Sequence, residues 1–89
     1  MDLGQFEEAL KHYDIAIKKD SLNPNYYFNR GIVKTKLDKL KEAVDDFVRA
    51  LDNHPDANTA YLIYFHKGVT DRKLGNLVES IEDFKQAIL

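Results

Sequence analysis

Residues at positions i and i+34, and further along the chain at i and i+37, match in chemical type, and an internal repeat of that length restricts the fold more than any other property of the sequence. The shorter step carries Ala9 to Ala43 and Ala16 to Ala50, and likewise Phe6 to Leu40, Leu10 to Val44, Tyr13 to Phe47 and Ile17 to Leu51. The longer step joins Gly31 to Gly68, Leu37 to Leu74, Leu40 to Leu77, Phe47 to Phe84, Ala50 to Ala87 and Leu51 to Ile88. By that step Ala43 passes to Ser80, also small. Chance does not put so many chemically matched positions in register. The recurring unit is one supersecondary element that buries its apolar face by stacking on its neighbours.

Within each unit the period is helical. Phe6, Leu10, Tyr13 and Ile17 fall at i, i+4, i+7 and i+11, with Ala9 and Ala16 beside them. Leu40, Val44, Phe47 and Leu51 repeat the stripe, as do Leu77, Ile81, Phe84 and Ile88. The opposite faces carry Glu7, Lys11, Lys18, Lys41, Asp45, Asp52, Glu82 and Lys85, as expected of a face in water. The alanines and Ser80 let two helix backbones approach closely, which a bulkier residue would prevent.

The punctuation agrees with that period. Asn23-Pro24 reads as an N-cap followed by proline in the first helical position, and Pro55-Asp56 restarts the next unit. Gly75-Asn76 reverses the chain, with Asp38-Lys39 at the equivalent place. The expectation is five helices, over about residues 4–19, 24–37, 40–53, 56–74 and 77–88. They form a half unit over 1–23 and full units over 24–57 and 58–89, in a single domain of antiparallel helical hairpins. The run Asn25-Tyr26-Tyr27-Phe28 looks locally strand-like, but its place in the repeat overrides that.

Composition narrows the chemistry. The 89 residues contain no cysteine, which removes disulfides, thiolate catalysis and Cys-ligated zinc. With 13 basic against 15 acidic residues, the chain lacks the basic excess of a dedicated nucleic-acid binder. No apolar run approaches the roughly 18 residues of a membrane span. Met1-Asp2-Leu3-Gly4-Gln5 has neither a basic n-region nor an apolar h-region, so a cytoplasmic chain is expected, with the nucleus left open. His12, His54 and His66 are dispersed, with no i, i+4 pair to hold a metal, and no cofactor is expected. Glu7-Glu8 and Asp45-Asp46 are adjacent carboxylates that point different ways on a helix and read as solvated, and none of the four glycines belongs to a phosphate-binding loop. An enzyme is not expected.

Taken together these residues resemble the tetratricopeptide repeat, a helix–turn–helix unit of about 34 residues. The middle unit carries the pattern in Tyr27, Gly31, Leu37, Leu40, Ala43, Phe47, Ala50 and Pro55. The last unit carries it in Tyr64, Gly68, Leu74, Gly75, Leu77, Phe84 and Ala87, and the first half unit in Gly4, Phe6, Ala9, Tyr13 and Ala16. The resemblance implies an all-α right-handed superhelix of antiparallel hairpins whose first helices line a concave groove. The groove positions it assigns are Asn25, Phe28, Asn29, Ile32, Thr35 and Lys36, then Leu62, Phe65, Val69, Arg72 and Lys73. Such a face, apolar in the middle with a basic edge, suits a protein or peptide partner with apolar anchors and acidic neighbours. A known subclass grips a C-terminal carboxylate with lysine, asparagine and arginine. Asn29 matches its asparagine place, but the lysine and arginine places hold Leu62 and His66, so chaperone-tail binding is not implied.

Three departures from the family pattern carry expectations of their own. Arg30 and Lys34, and Lys67 and Asp71 in the last unit, stand where leucine and tyrosine are common, which implies thinner packing inside each hairpin. Lys34 and Asp71 are equivalent positions, so a pair across the stack is one outcome, worth at most about 1 kcal/mol if exposed. Three residues are inserted between Ala50 and Gly68, and they lead either to an early start of the fourth helix, near Asp56 or Ala57, or to a longer loop. At the ends, Phe6 and Tyr13 lack the partner helix of their unit, and Ile81, Phe84 and Ile88 lack a cap. Either the chain is a piece of a longer array or these ends pack against another copy.

Overall fold

The computed structural model describes residues 3–89 as helices α1 (Leu3–Lys19), α2 (Pro24–Lys36), α3 (Leu40–Asp52), α4 (Ala57–Lys73) and α5 (Leu77–Ala87). Met1 and Asp2, which open the expected half unit and the segment read for a leader, lie outside the described residues. Among the described residues there is no strand, and none of these helices is long and apolar enough to cross a membrane. The chain is an all-α helical repeat solenoid in which α2 pairs with α3 and α4 with α5, while α1 packs on α2 and α3 on α4.

Local chemistry sets the helix ends. Asn23 caps α2 by accepting the Asn25 N–H at 2.9 Å, ahead of Pro24, whose missing donor costs nothing in the first turn. Asp56 caps α4 by accepting the Thr59 N–H at 2.8 Å. The three inserted residues extend a helix rather than a loop: α4 has 17 residues against 13 in α2. Both hairpin turns close alike. Lys39 N–H donates to the Lys34 carbonyl and Asn76 N–H to the Asp71 carbonyl, each at 2.8 Å, around a left-handed residue. That residue is Gly75 (φ 84°) in the second turn and Asp38 (φ 62°) in the first.

Between the helices of each hairpin the glycines act through missing volume. A Cβ on Gly31 would meet the Phe47 ring at 2.7 Å, so glycine is what lets that ring lie directly against α2. The core gathers Tyr27, Phe28, Ala43, Phe47, Ala50 and Ile63, with Ile17, Ile32 and Leu51 packed against it. Ser80, buried where the middle unit has Ala43, donates its hydroxyl to the Gly68 carbonyl at 3.0 Å and so ties α5 to α4. Tyr27 reaches back to the loop and donates to the Ser21 carbonyl at 2.8 Å.

The thin packing expected at Arg30 and Lys34 is not found, because the charges meet carboxylates inside the hairpin. Arg30 donates to both Asp46 oxygens, Nε at 2.9 Å and Nη2 at 2.7 Å, and reaches Asp14 of α1 at 3.0 Å. Lys34 joins the same carboxylate at 3.0 Å. Asp46 is therefore buried, 1% exposed, rather than solvated like its neighbour Asp45: it lies on the side of α3 that faces α2. The cross-stack pairing of Lys34 with Asp71 is not formed either, since Asp71 is engaged by Lys67 one turn back on α4. Among the described residues every fully buried side-chain nitrogen or oxygen has a hydrogen-bond partner.

Candidate functional site

The face expected to bind is built from one side of α2 and one side of α4. On α4, Leu62, Phe65, Val69, Arg72 and Lys73 follow at i, i+3, i+7, i+10 and i+11, the spacing of a single helical face. Leu62 and Phe65 are 43% and 45% exposed, Val69 is half-buried, and Arg72 and Lys73 stand in water. On α2, Asn25 and Lys36 are exposed while Asn29 and Ile32 are half-buried, Ile32 partly against the core. Thr35 turns its hydroxyl back to the Ile32 carbonyl at 2.6 Å.

Phe28 departs from the expected groove lining. It is only 9% exposed, because α4 crosses over it: its ring meets Phe47 at 6.1 Å and the edge of His66 at 5.4 Å. It is a core residue and offers little to a partner. The i+37 step places Phe65 as its equivalent in α4, where no further helix among the described residues lies over the ring. Identical positions in the repeat thus have opposite fates, decided by what stacks on them.

Two residues outside the expected set belong to the same region. Tyr61 is 48% exposed and its ring lies 6.5 Å from that of Phe65, extending the apolar patch by one turn. A large apolar residue four before Phe65 is the signal that locates it. His66 is wedged among three rings, 5.4 Å from Phe28, 5.9 Å from Phe65 and 6.4 Å from Phe47. Burial, with the charge of Lys36 behind it, holds the imidazole below its ordinary titration range. α2 and α4 also touch directly.

The expected end residues are placed unequally. Phe6 and Tyr13 on α1 are half-buried. Phe84 is half-buried too, its ring seated against Gly68 and 6.0 Å from Phe65. Ile81 and Ile88 are 57% and 83% exposed. No enclosed cavity forms among the described residues, and no group of three or more histidine, aspartate or glutamate side chains is placed to hold a metal ion. The exposed side of α4, with Tyr61, Leu62 and Phe65, is an open surface.

Comparison with known proteins bears on this surface. A family profile described as TPR repeat matches residues 1–38, and one described as Tetratricopeptide repeat matches residues 61–89. Tetratricopeptide repeat protein 16 of Mus musculus is 39% identical over 49 residues, 55% of this chain and 6% of that protein. Peptidyl-prolyl cis-trans isomerase FKBP42 of Arabidopsis thaliana is 35% identical over 54 residues, 61% of this chain and 15% of that protein. The chain thus spans a small fraction of the length of these relatives. Among solved structures, the second TPR of Spaghetti (RPAP3), bound to the HSP90 peptide SRMEEVD, is similar with a TM-score of 0.87 and 26% identity over 96% of this chain and 76% of its own.

Proposed function

Because the chain belongs to the tetratricopeptide repeat family, we propose that it is a non-enzymatic module that holds a partner peptide or helix against the α2–α4 face. The observation that carries this reading is the exposed row Tyr61, Leu62 and Phe65 bordered by Lys36, Arg72 and Lys73. Partly exposed aromatic rings on a rigid helix contribute large contact area at little entropic cost, since the backbone is already ordered. Three exposed cations on the same border favour acidic residues beside the apolar anchors and speed encounter with them. Asn25, Asn29 and Ile32 complete the α2 side.

The test is a fluorescence-anisotropy titration of the 89-residue chain with labelled SRMEEVD amidated at its C-terminus, which keeps the acidic side chains of the peptide held by the structural neighbour and removes the terminal carboxylate that Leu62 and His66 are not suited to grip. Saturable binding that weakens about tenfold in Phe65→Ala, and falls with salt and in Lys73→Ala, supports the reading. Unchanged affinity in Phe65→Ala, with helicity intact by circular dichroism, would remove the α4 row from the site. Loss of helicity in that variant would make Phe65 a core residue instead.

A second reading has an observation of its own. Phe28 and Phe47 meet His66 of α4, whereas among the described residues no further helix packs over their equivalents Phe65 and Phe84. In this reading the last hairpin stacks on further repeats or on another copy, with Phe6, Tyr13, Ile81, Phe84 and Ile88 at the contacts. Molar mass by light scattering separates the two. A constant monomer mass across concentrations favours the peptide-binding face, and a concentration-dependent oligomer abolished by Ile88→Asp favours stacking.

A further inference from the structure

The two hairpins carry buried charges at equivalent positions but with unequal balance. In the α2–α3 hairpin Asp46 is held by Arg30 and Lys34, and Arg30 also meets Asp14 of α1, so two cations face two carboxylates. The i+37 step turns Arg30 into Lys67, Lys34 into Asp71 and Asp46 into Asp83, while the i+34 step turns Asp14 into Val48. In the α4–α5 hairpin one ammonium therefore serves two carboxylates. Lys67 Nζ lies 3.1 Å from Asp71 Oδ2 and 3.0 and 3.2 Å from the two Asp83 oxygens. Asp71 is 2% exposed and Asp83 6%.

Among the described residues the surroundings supply no second cation. There α5 packs on α4 alone, so Asp83 faces Lys67 and Asp71, with Asn76 donating to Asp71 at 3.4 Å from the turn. Arg72 and Lys73 of α4, and Glu79, Glu82 and Lys85 of α5, stand in water. Of the charges on α2 that reach α4, Lys36 acts on His66. The two carboxylates meet on the same ammonium, each with an oxygen within 3.1 Å of Lys67 Nζ.

We propose that the α4–α5 hairpin is a proton-dependent latch, closed when Asp71 and Asp83 share one proton around Lys67 and loosened when that proton leaves. With the proton present the cluster is neutral and the protonated oxygen donates to the other carboxylate. Without it a net negative charge is buried between two helices, a costly arrangement in a low-dielectric setting. Burial and the neighbouring Asp71 push the Asp83 carboxyl up to about 6, while Asp71 is held low by Asp83 and Lys67 against its own burial. The sign follows. Since the folded chain holds a proton that the unfolded chain loses above its ordinary value of 3.8, the stabilisation is complete below that value and is lost as the pH rises to about 6. The α2–α3 hairpin buries no such excess of negative charge.

Residue-resolved hydrogen exchange of the 89-residue chain between pH 5 and 7.5, corrected for intrinsic rates, tests this. His66 titrates in the opposite sense on α4, so the readout is the ratio of α5 exchange in wild type to that in Asp71→Asn, which keeps His66 and leaves Lys67 and Asp83 as a neutral pair. The expected ratio rises by about tenfold across that range, because pH 5 lies one below the midpoint near 6 and each such step is a factor of about ten in the stabilisation by the bound proton. A ratio independent of pH overturns the proposal. Should Asp71→Asn fail to fold, Asp83→Asn serves in its place. Carboxyl NMR titration of the wild type decides independently: a midpoint near 6 for the Asp71–Asp83 pair agrees, and midpoints at or below 4 for both carboxyls overturn it.

Discussion

A Cβ placed on Gly68 would sit 2.8 Å from the ring of Phe84, and Gly31 stands in the same relation to Phe47 at 2.7 Å. These contacts are shorter than any real side chain tolerates, so in each hairpin the aromatic ring occupies the space a side chain would fill. Whether the ring can move then decides what a substitution costs. Phe47 is fully buried and Phe84 only half so. Gly31→Ala is expected to lower unfolding free energy by about 1–3 kcal/mol, in spite of alanine's better helix propensity. Gly68→Ala should cost distinctly less, because Phe84 can give way toward solvent. Urea titrations of the two variants side by side check this order.

Asp46 is expected to be the most sensitive carboxylate in the chain. Removing it leaves Arg30 and Lys34, both largely buried, without their shared partner. Breaking a buried pair in this way costs on the order of 3–5 kcal/mol. Asp46→Ala should therefore unfold the chain at far lower denaturant than Asp45→Ala, whose side chain is exposed and whose effect should stay within about 0.5 kcal/mol. Equal midpoints for the two variants would mean that the network contributes nothing to stability.

His66 sets an acid-side dependence. Burial first, and Lys36 second, hold its folded-state titration below the ordinary value of 6.5. Between those two values the unfolded chain takes up a proton that the folded chain refuses, so His66 lowers stability as pH falls through about 6.5. His66→Phe removes the titration and keeps a ring among Phe28, Phe47 and Phe65. Its melting temperature is expected to exceed that of the wild type by more at pH 5 than at pH 7.5. A difference that does not change with pH would rule out that linkage.

Much of this architecture is visible in the residues themselves. The i+34 and i+37 steps locate the hairpins, and Asn23-Pro24, Asp56 and Gly75 locate their ends, because caps and turns are local chemistry. Phe28 and Phe65 are not separable in this way, since they occupy the same place in the repeat and differ only in whether another helix lies above. Burial of that kind belongs to the stack and leaves no mark on either position. Asp46 is hidden for a different reason: beside Asp45 it reads as part of a polar face. The recurrence of a cation and a carboxylate at i and i+16, Arg30 with Asp46 and Lys67 with Asp83, is the signal that gives it away.

The extra turn at the start of α4 bears on how such a chain tolerates changes in length. Three residues amount to about 300° of helical rotation, so their addition nearly restores the original azimuth. Ile63 still points into the core and Phe65 still lies on the open side. One residue added inside the same helix would swing everything upstream of it by about 100° and carry Ile63 out of its seat. Lengthening between hairpins is therefore quantised: whole turns lengthen a rod, and fractions of a turn scramble the wall it belongs to.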